Sequence, residues 1–116
     1  MKLTYAQTIN RTLDQLLQQE EVVLIGQGIT SPWYVGTTTV GLLDGHGPGK
    51  VIDTPVSENA ITGVAVGAAM AGLRPIVMHP RMDFMWLAMD AIANQCANWF
   101  YMFGGQVNIP VTIWAI

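Results

Sequence analysis

Charge is scarce in this chain. Only 11% of its 116 residues are Asp, Glu, Lys or Arg, and the formal net charge is −3. A weakly acidic chain lacks the basic footprint of a nucleic-acid binder or of a protein held on an anionic membrane. Cysteine is almost absent too. Cys96 stands alone, which excludes an internal disulfide and fits a reducing cytoplasm. The two histidines, His46 and His79, lie far apart without neighbouring ligand-type residues, a pattern that argues against zinc. No apolar run is long enough to cross a bilayer; the longest, around Val64 to Leu73, is broken by glycine. Met1 to Gln19 is amphipathic and polar, unlike a signal peptide.

Hydrophobic residues, by contrast, make up 51%. That is apolar for a single small domain, so a partner is expected to cover part of the surface. In chain order, Thr4 to Gln19 carries Tyr5, Ile9, Leu13, Leu16 and Leu17 at near-helical spacing, with Thr4 as its N-cap. Val22 to Ile25 reads as a strand buried on both faces. Gly26-Gln27-Gly28 is then expected as a tight turn at the edge where open α/β sheets bind ligands. Ser31-Pro32 opens a loop, Val35 to Leu43 is expected as a short helix, and Asp44 to Gly49 as a glycine-rich connection. Trp33 and Tyr34 either line a pocket or cover the core.

Val51-Ile52 reads as the end of another strand, and Pro55 bars helix just before it. Ser57 is placed to cap a helix running to Leu73, with Glu58 in its first turn, where the helix dipole favours a carboxylate. Gly63, Gly67 and Ala71 recur every four residues, leaving one helical face open to close approach by another backbone. Arg74-Pro75 is expected to end that helix, Ile76-Val77-Met78 to form a third strand, and His79-Pro80-Arg81 to leave it. Met82 to Phe103 is helical by period and apolar nearly all round, hence buried or at an interface. Gly104-Gly105 stops it, and Ile109 to Ile116 has strand character. This alternation predicts an α/β fold with a mostly parallel sheet of about four strands between helical layers, in one domain.

Few residues carry chemistry. Glu58 could exchange a proton with a basic ring nitrogen, or simply favour its helix. His79 lies at a strand end where α/β sites gather, or is a satisfied structural histidine. Arg81 binds an anion or only pairs with Asp83; Phe84 lines a site or fills the core. Cys96 reads as a buried small hydrophobe.

The segments IDTPVSENAITGVAVGAAMAGLRPIV, MDF, AMD, NQ and YMFGGQVNIPV, in this order, closely resemble the beta subunit of thiamine-diphosphate-dependent 2-oxo acid dehydrogenase E1 components. The similar portion is its transketolase-like pyrimidine-binding domain. The resemblance runs from Thr4 to the last residue and is most specific from Ile52 to Val111. It implies that Glu58 is the catalytic glutamate that hydrogen-bonds the cofactor's aminopyrimidine, and that Phe84 packs on that ring. It implies a subunit-interface role for the GVAVGAAMAG helix. It also implies a potassium ion held partly by the Val111 carbonyl, with further ligands beyond Ile116.

Two positions depart from the family pattern. Gln27 stands where many members carry an acid, and His79-Pro80-Arg81 replaces an aromatic-Met segment; Gln27, His79 and Arg81 are therefore possible pocket residues. The family's subunit is longer, and its GDG…N motif for Mg²⁺-diphosphate lies on the alpha subunit. The expected function is the pyrimidine half of a thiamine diphosphate site for 2-oxo acid decarboxylation, completed by an E1-alpha-like subunit, with the chain binding no cofactor alone. The alternative is a catalytically inert oligomeric relative or a small-molecule binding protein. Copies of itself, and neither nucleic acid nor membrane, are the other expected partners.

Overall fold

Four parallel strands form one sheet in the order β2-β1-β3-β4. They are β1 (Val22–Gln27), β2 (Val51–Thr54), β3 (Arg74–His79) and β4 (Thr112–Ala115). The computed structural model describes residues 2–116; Met1, the first residue of the amphipathic opening segment, lies outside them. β1 pairs on both sides and every one of its residues is buried, as its unbroken apolar run demands.

Alternation along the strands divides the core in two. Val22, Leu24, Ile76 and Met78 pack under α1 (Tyr5–Leu17) and α2 (Leu42–His46) through Leu13, Leu17 and Leu42. Val23, Ile25 and Val77 pack under α3 (Glu58–Met70) through Ile61 and Ala65. Helices thus cover both faces, giving the expected three-layer α/β fold. Each fully buried aliphatic side chain contributes about 1.5–3 kcal/mol.

Thr4 caps α1 reciprocally: Gln7 N–H donates to Thr4 Oγ1 at 3.2 Å and Thr4 N–H to Gln7 Oε1 at 2.9 Å. Gly26 and Gln27, expected in a turn, belong to β1. Glycine at 26 serves close approach: a Cβ there would stand 2.6 Å from the Met78 carbonyl oxygen. The turn comes at Gly28, with φ of 72°. Val35 to Leu43 forms turns rather than a helix until Leu42. Tyr34, Val35 and Thr37 have φ of 44°, 49° and 69°, and Gly36 and Gly41 are also left-handed, which breaks a helical ladder. Burial of Val35 in the core offsets its strain.

Four further expectations are corrected. Ser57 sits at the N-cap of α3, but its ψ of 76° turns its hydroxyl away from the first-turn amides and it makes no capping bond. α3 ends at Met70, and Arg74-Pro75 begin β3. Arg74 N–H points toward β1, donating to Glu21 O, so the Pro75 nitrogen faces β4, whose pairing starts only at Ile76. His79 is the last residue of β3, not the first beyond it.

Met82 to Phe103 is not one helix. It runs as α4 (Met82–Met85), a 3₁₀ turn (Trp86–Ala88), a π segment (Asp90–Ala97) and α5 (Trp99–Met102). Ala88 and Ala91 are its buried residues, and the changes of pitch fall where it packs on α3. Trp86, Leu87, Phe100, Tyr101 and Met102 are exposed.

The small-residue face of α3 is also uncovered. Among the described residues, and apart from the helix's own neighbouring backbone, nothing lies within 4 Å of a Cβ built on Gly63 or Gly67, and Val64 and Met70 are exposed. Gly67→Ala is therefore expected to stabilise the isolated chain by about 0.5–1 kcal/mol, the helix-propensity difference. Urea denaturation checks this; a destabilised variant would mean that this face is packed within the monomer.

Candidate functional site

The C-terminal ends of β1, β2 and β3 place a row of polar side chains on the α3 face. Gln27 pairs in register with Thr54, and His79 follows Met78, the partner of Gly26. Above this row lies the first turn of α3. Glu58 is only 5% exposed there, and Gln27 Nε2 donates to its Oε1 at 3.0 Å. A buried carboxylate requires such a donor.

His79 is completely buried, with Nε2 3.2 Å from Thr62 Oγ1. The Thr62 hydroxyl itself donates to Glu58 O at 2.9 Å. With the hydroxyl proton spent on Glu58 O, the tautomer that satisfies this contact carries its proton on Nε2 and leaves Nδ1 as an acceptor. Burial pushes the His79 pKa below its ordinary value, and the nearby Glu58 charge opposes this less strongly. Three buried atoms in the row have no hydrogen-bond partner: His79 Nδ1, Gln27 Oε1 and Thr54 Oγ1. Of the three, the Gln27 and Thr54 oxygens belong to residues that line the neighbouring cleft, where a ligand with donors would meet them; His79 Nδ1 is sealed from it.

A cleft of about 420 Å³ opens beside the row. Gln27 and Thr54 form part of its wall; Trp33, Val56, Arg81 and Phe84 form much of the rest. Glu58 and His79 do not line it; Gln27 does, and its amide is bonded to Glu58. Phe84 is 37% exposed, a cleft residue rather than core. Trp33 takes the pocket-lining alternative, while Tyr34 is half-buried.

Arg81 is paired with Asp83 through two 3.0 Å bonds, and its guanidinium lies 5.1 Å from the Phe84 ring centroid. Hydrogen bonding from Arg81 holds the Asp83 carboxyl below its usual pKa. Val111 is not part of this constellation. It lies just before β4, at the opposite end of the sheet, where it packs on the α3-side core. Half-buried Cys96 has its thiol pKa raised by burial.

Sequence reasoning missed Thr54, Thr62 and Asp53. Thr54 and Thr62 become visible only through register and helical phase. Asp53 had a local signal, an acid at a strand end beside Thr-Pro. It accepts from Gly28 N–H at 2.7 Å and binds Thr30.

The depressed His79 pKa has a consequence for stability. Between the unfolded value of 6.5 and the lower folded one, the unfolded chain takes up a proton that the native ring refuses. The stabilisation is whole above the unfolded pKa and is lost as pH falls through the folded pKa. Urea midpoints measured from about pH 7.5 to about pH 5 should therefore decline more steeply for the wild type than for His79→Gln. Parallel curves would contradict this account.

The family model described as "Transketolase, pyrimidine binding domain" matches residues 1–113. Among curated relatives, the pyruvate dehydrogenase E1 component subunit beta of Rickettsia bellii (strain RML369-C) is 38% identical over 112 residues, covering 96% of this chain and 34% of the relative. The mitochondrial subunit beta of Bos taurus is 39% identical over 114 residues, covering 96% of this chain and 31% of the relative. The mitochondrial subunit beta-1 of Oryza sativa subsp. japonica is 37% identical over 111 residues, covering 95% and 30%. The chain spans about a third of the length of these relatives. The match covers nearly the whole chain, and the parallel sheet is consistent with it: the chain belongs to the transketolase pyrimidine-binding domain family.

Proposed function

We propose that this chain supplies the pyrimidine side of a thiamine diphosphate site in an E1-type 2-oxo acid dehydrogenase assembly. An E1-alpha-like subunit would supply the groups for diphosphate and Mg²⁺. The supporting observation is the buried Glu58 carboxylate, fixed by Gln27 at the sheet edge beside a largely apolar cleft. The relatives named as E1 component subunit beta support the same reading.

The residues present fit such a group. Glu58 offers a carboxyl for a ring nitrogen, and the orphaned Gln27 Oε1 and Thr54 Oγ1 offer further acceptor capacity. When bound, thiamine diphosphate supplies a carbon nucleophile for attack on a 2-oxo acid carbonyl. The role assigned to Glu58 is to hold a proton against the pyrimidine N1′. Gln27 orients the carboxylate by its amide donor. Phe84, Pro55 and Val56 exclude water and face the ring with apolar surface.

Copies of this chain or an E1-alpha-like partner would cover the exposed α3 face and the Trp86–Phe103 surface. A reducing compartment such as the cytoplasm is the proposed location, supported by the single Cys96 thiol. A potassium ion at the Val111 carbonyl would need oxygen ligands from other chain segments, away from the cleft.

Calorimetry tests the assembly. Thiamine diphosphate with Mg²⁺ should bind when an E1-alpha-like subunit is present and not to this chain alone. Absence of binding in both settings would leave the catalytically inert relative as the answer. In an active complex with pyruvate as probe substrate, Glu58→Gln should lower turnover about 100-fold or more, the scale of a lost acid–base group. Unchanged turnover would remove Glu58 from the reaction.

A further inference from the structure

One carboxylate beside the cleft is saturated with donors although it lies at the surface. Asp53 Oδ1, in β2, accepts from Gly28 N–H at 2.7 Å and from Thr54 N–H at 3.0 Å. Its Oδ2 accepts from Thr30 N–H at 3.4 Å and from the Thr30 hydroxyl. Gly28 and Thr30 belong to the loop that follows β1, and Gly28, at φ of 72°, is where that loop turns.

The hydrogen bonds continue along the loop. Ser31 Oγ donates back to Gly28 O at 2.6 Å, and Tyr34 N–H donates to Ser31 O at 2.8 Å. Trp33 stands inside this short circuit. A Cβ built on Gly28 would lie 3.9 Å from Trp33 Nε1, so the indole lies beside the residue that Asp53 grips, and a side chain there would reach it. On its inner side the loop is anchored by buried Ile29, whose carbonyl accepts from Thr39 Oγ1 at 2.6 Å. Trp33 is 50% exposed and lines the same cleft as Gln27 and Phe84. The indole is half-exposed on a loop with several left-handed residues, and the Asp53 bonds fix the part of that loop next to it.

We propose that Asp53 is a positioning residue that holds Trp33, through Gly28 and Thr30, as an aromatic wall of the cleft. Ordering the indole before a ligand arrives removes part of the cost of binding. The wall suits a flat or short apolar group: an aromatic ring, or the acyl chain of a small substrate. The identity of that ligand rests on the function proposed above; the tether does not.

The tether is read by fluorine NMR of the full chain labelled with 5-fluorotryptophan, with Trp33→Phe assigning the Trp33 resonance. Asp53→Ala should shift or sharpen that resonance while those of Trp86, Trp99 and Trp114 stay in place. Asp53→Asn, which keeps an oxygen for Gly28 N–H, should fall between. Thr30→Val, which removes the hydroxyl bond to Oδ2 and keeps the backbone one, gives the same direction with a smaller size if Asp53→Ala does not fold. In complex with an E1-alpha-like subunit, thiamine diphosphate with Mg²⁺ should move the Trp33 resonance, and Asp53→Ala should weaken its binding about threefold to tenfold, the scale of re-ordering one side chain. A Trp33 resonance indifferent to both substitutions overturns the proposal, as does calorimetric cofactor binding that leaves it unmoved. A complex that binds no cofactor sinks the proposed function instead, and the ligand-free spectra still decide the role of Asp53.

Discussion

The hydrogen bond from the Gln27 amide to the Glu58 carboxylate is the contact on which the site depends. A carboxylate excluded from water is costly unless a donor meets it. Gln27 meets it because β1 continues two residues, Gly26 and Gln27, beyond its apolar run. Gly26 allows that extension, since any side chain there would collide with the Met78 backbone on β3. The central strand therefore carries its last side chain to the level of the α3 first turn, and only there can the two groups touch.

Around this contact the molecule is held unevenly. The row behind Glu58 is rigid, since Thr62 links the His79 ring to the Glu58 carbonyl inside a packed interior. The cleft wall in front is a loop, tied by side chains rather than by a ladder: Asp53 from β2, and Asn10 of α1, whose Nδ2 donates to Thr38 O and Val40 O. Stiff elements fix the acid, and tethered ones shape the opening. A buried carboxylate tolerates little displacement of its donor, whereas an apolar wall tolerates more.

Much of this was legible in the sequence because it depends on local pattern. The Thr4 cap, the two-face burial of Val22 to Ile25, the Glu58 helix and the strand–helix alternation follow from periodicity and capping chemistry. The failures share a cause. Gly26 was read as punctuation because a glycine needed for strand approach looks the same as one needed for a turn. Pro75 was read as a helix stop because its place on the β4 side of a strand depends on partners distant in sequence. Met82 to Phe103 has helical period, yet the period does not encode turns that tighten and widen against α3. Gln27, His79 and Arg81 were singled out as departures from a family pattern, and the structure separates them. Gln27 joins Glu58, His79 is sealed behind it, and Arg81 is engaged by Asp83 at the cleft rim.

The charge inventory of the cleft bears on how labour is divided between chains. Among the described residues, Arg81 is the one ionisable side chain in its wall, and Asp83 occupies it from one side while Phe84 lies against its guanidinium. Asp83 takes two of the five N–H donors of this guanidinium and offsets its charge, which weakens the positive field that a phosphate demands. The orphaned Gln27 and Thr54 oxygens, by contrast, accept rather than repel donors on a neutral heterocycle. Under the function proposed above, such a surface would take the uncharged end of the cofactor, and its anionic end would be met by cations and metal on another surface. On this reading the exposed apolar faces of α3 and the Trp86–Phe103 segment serve the site as well as the assembly, because a half-site that recognises only a ring gains specificity when the chain gripping the other end is docked beside it.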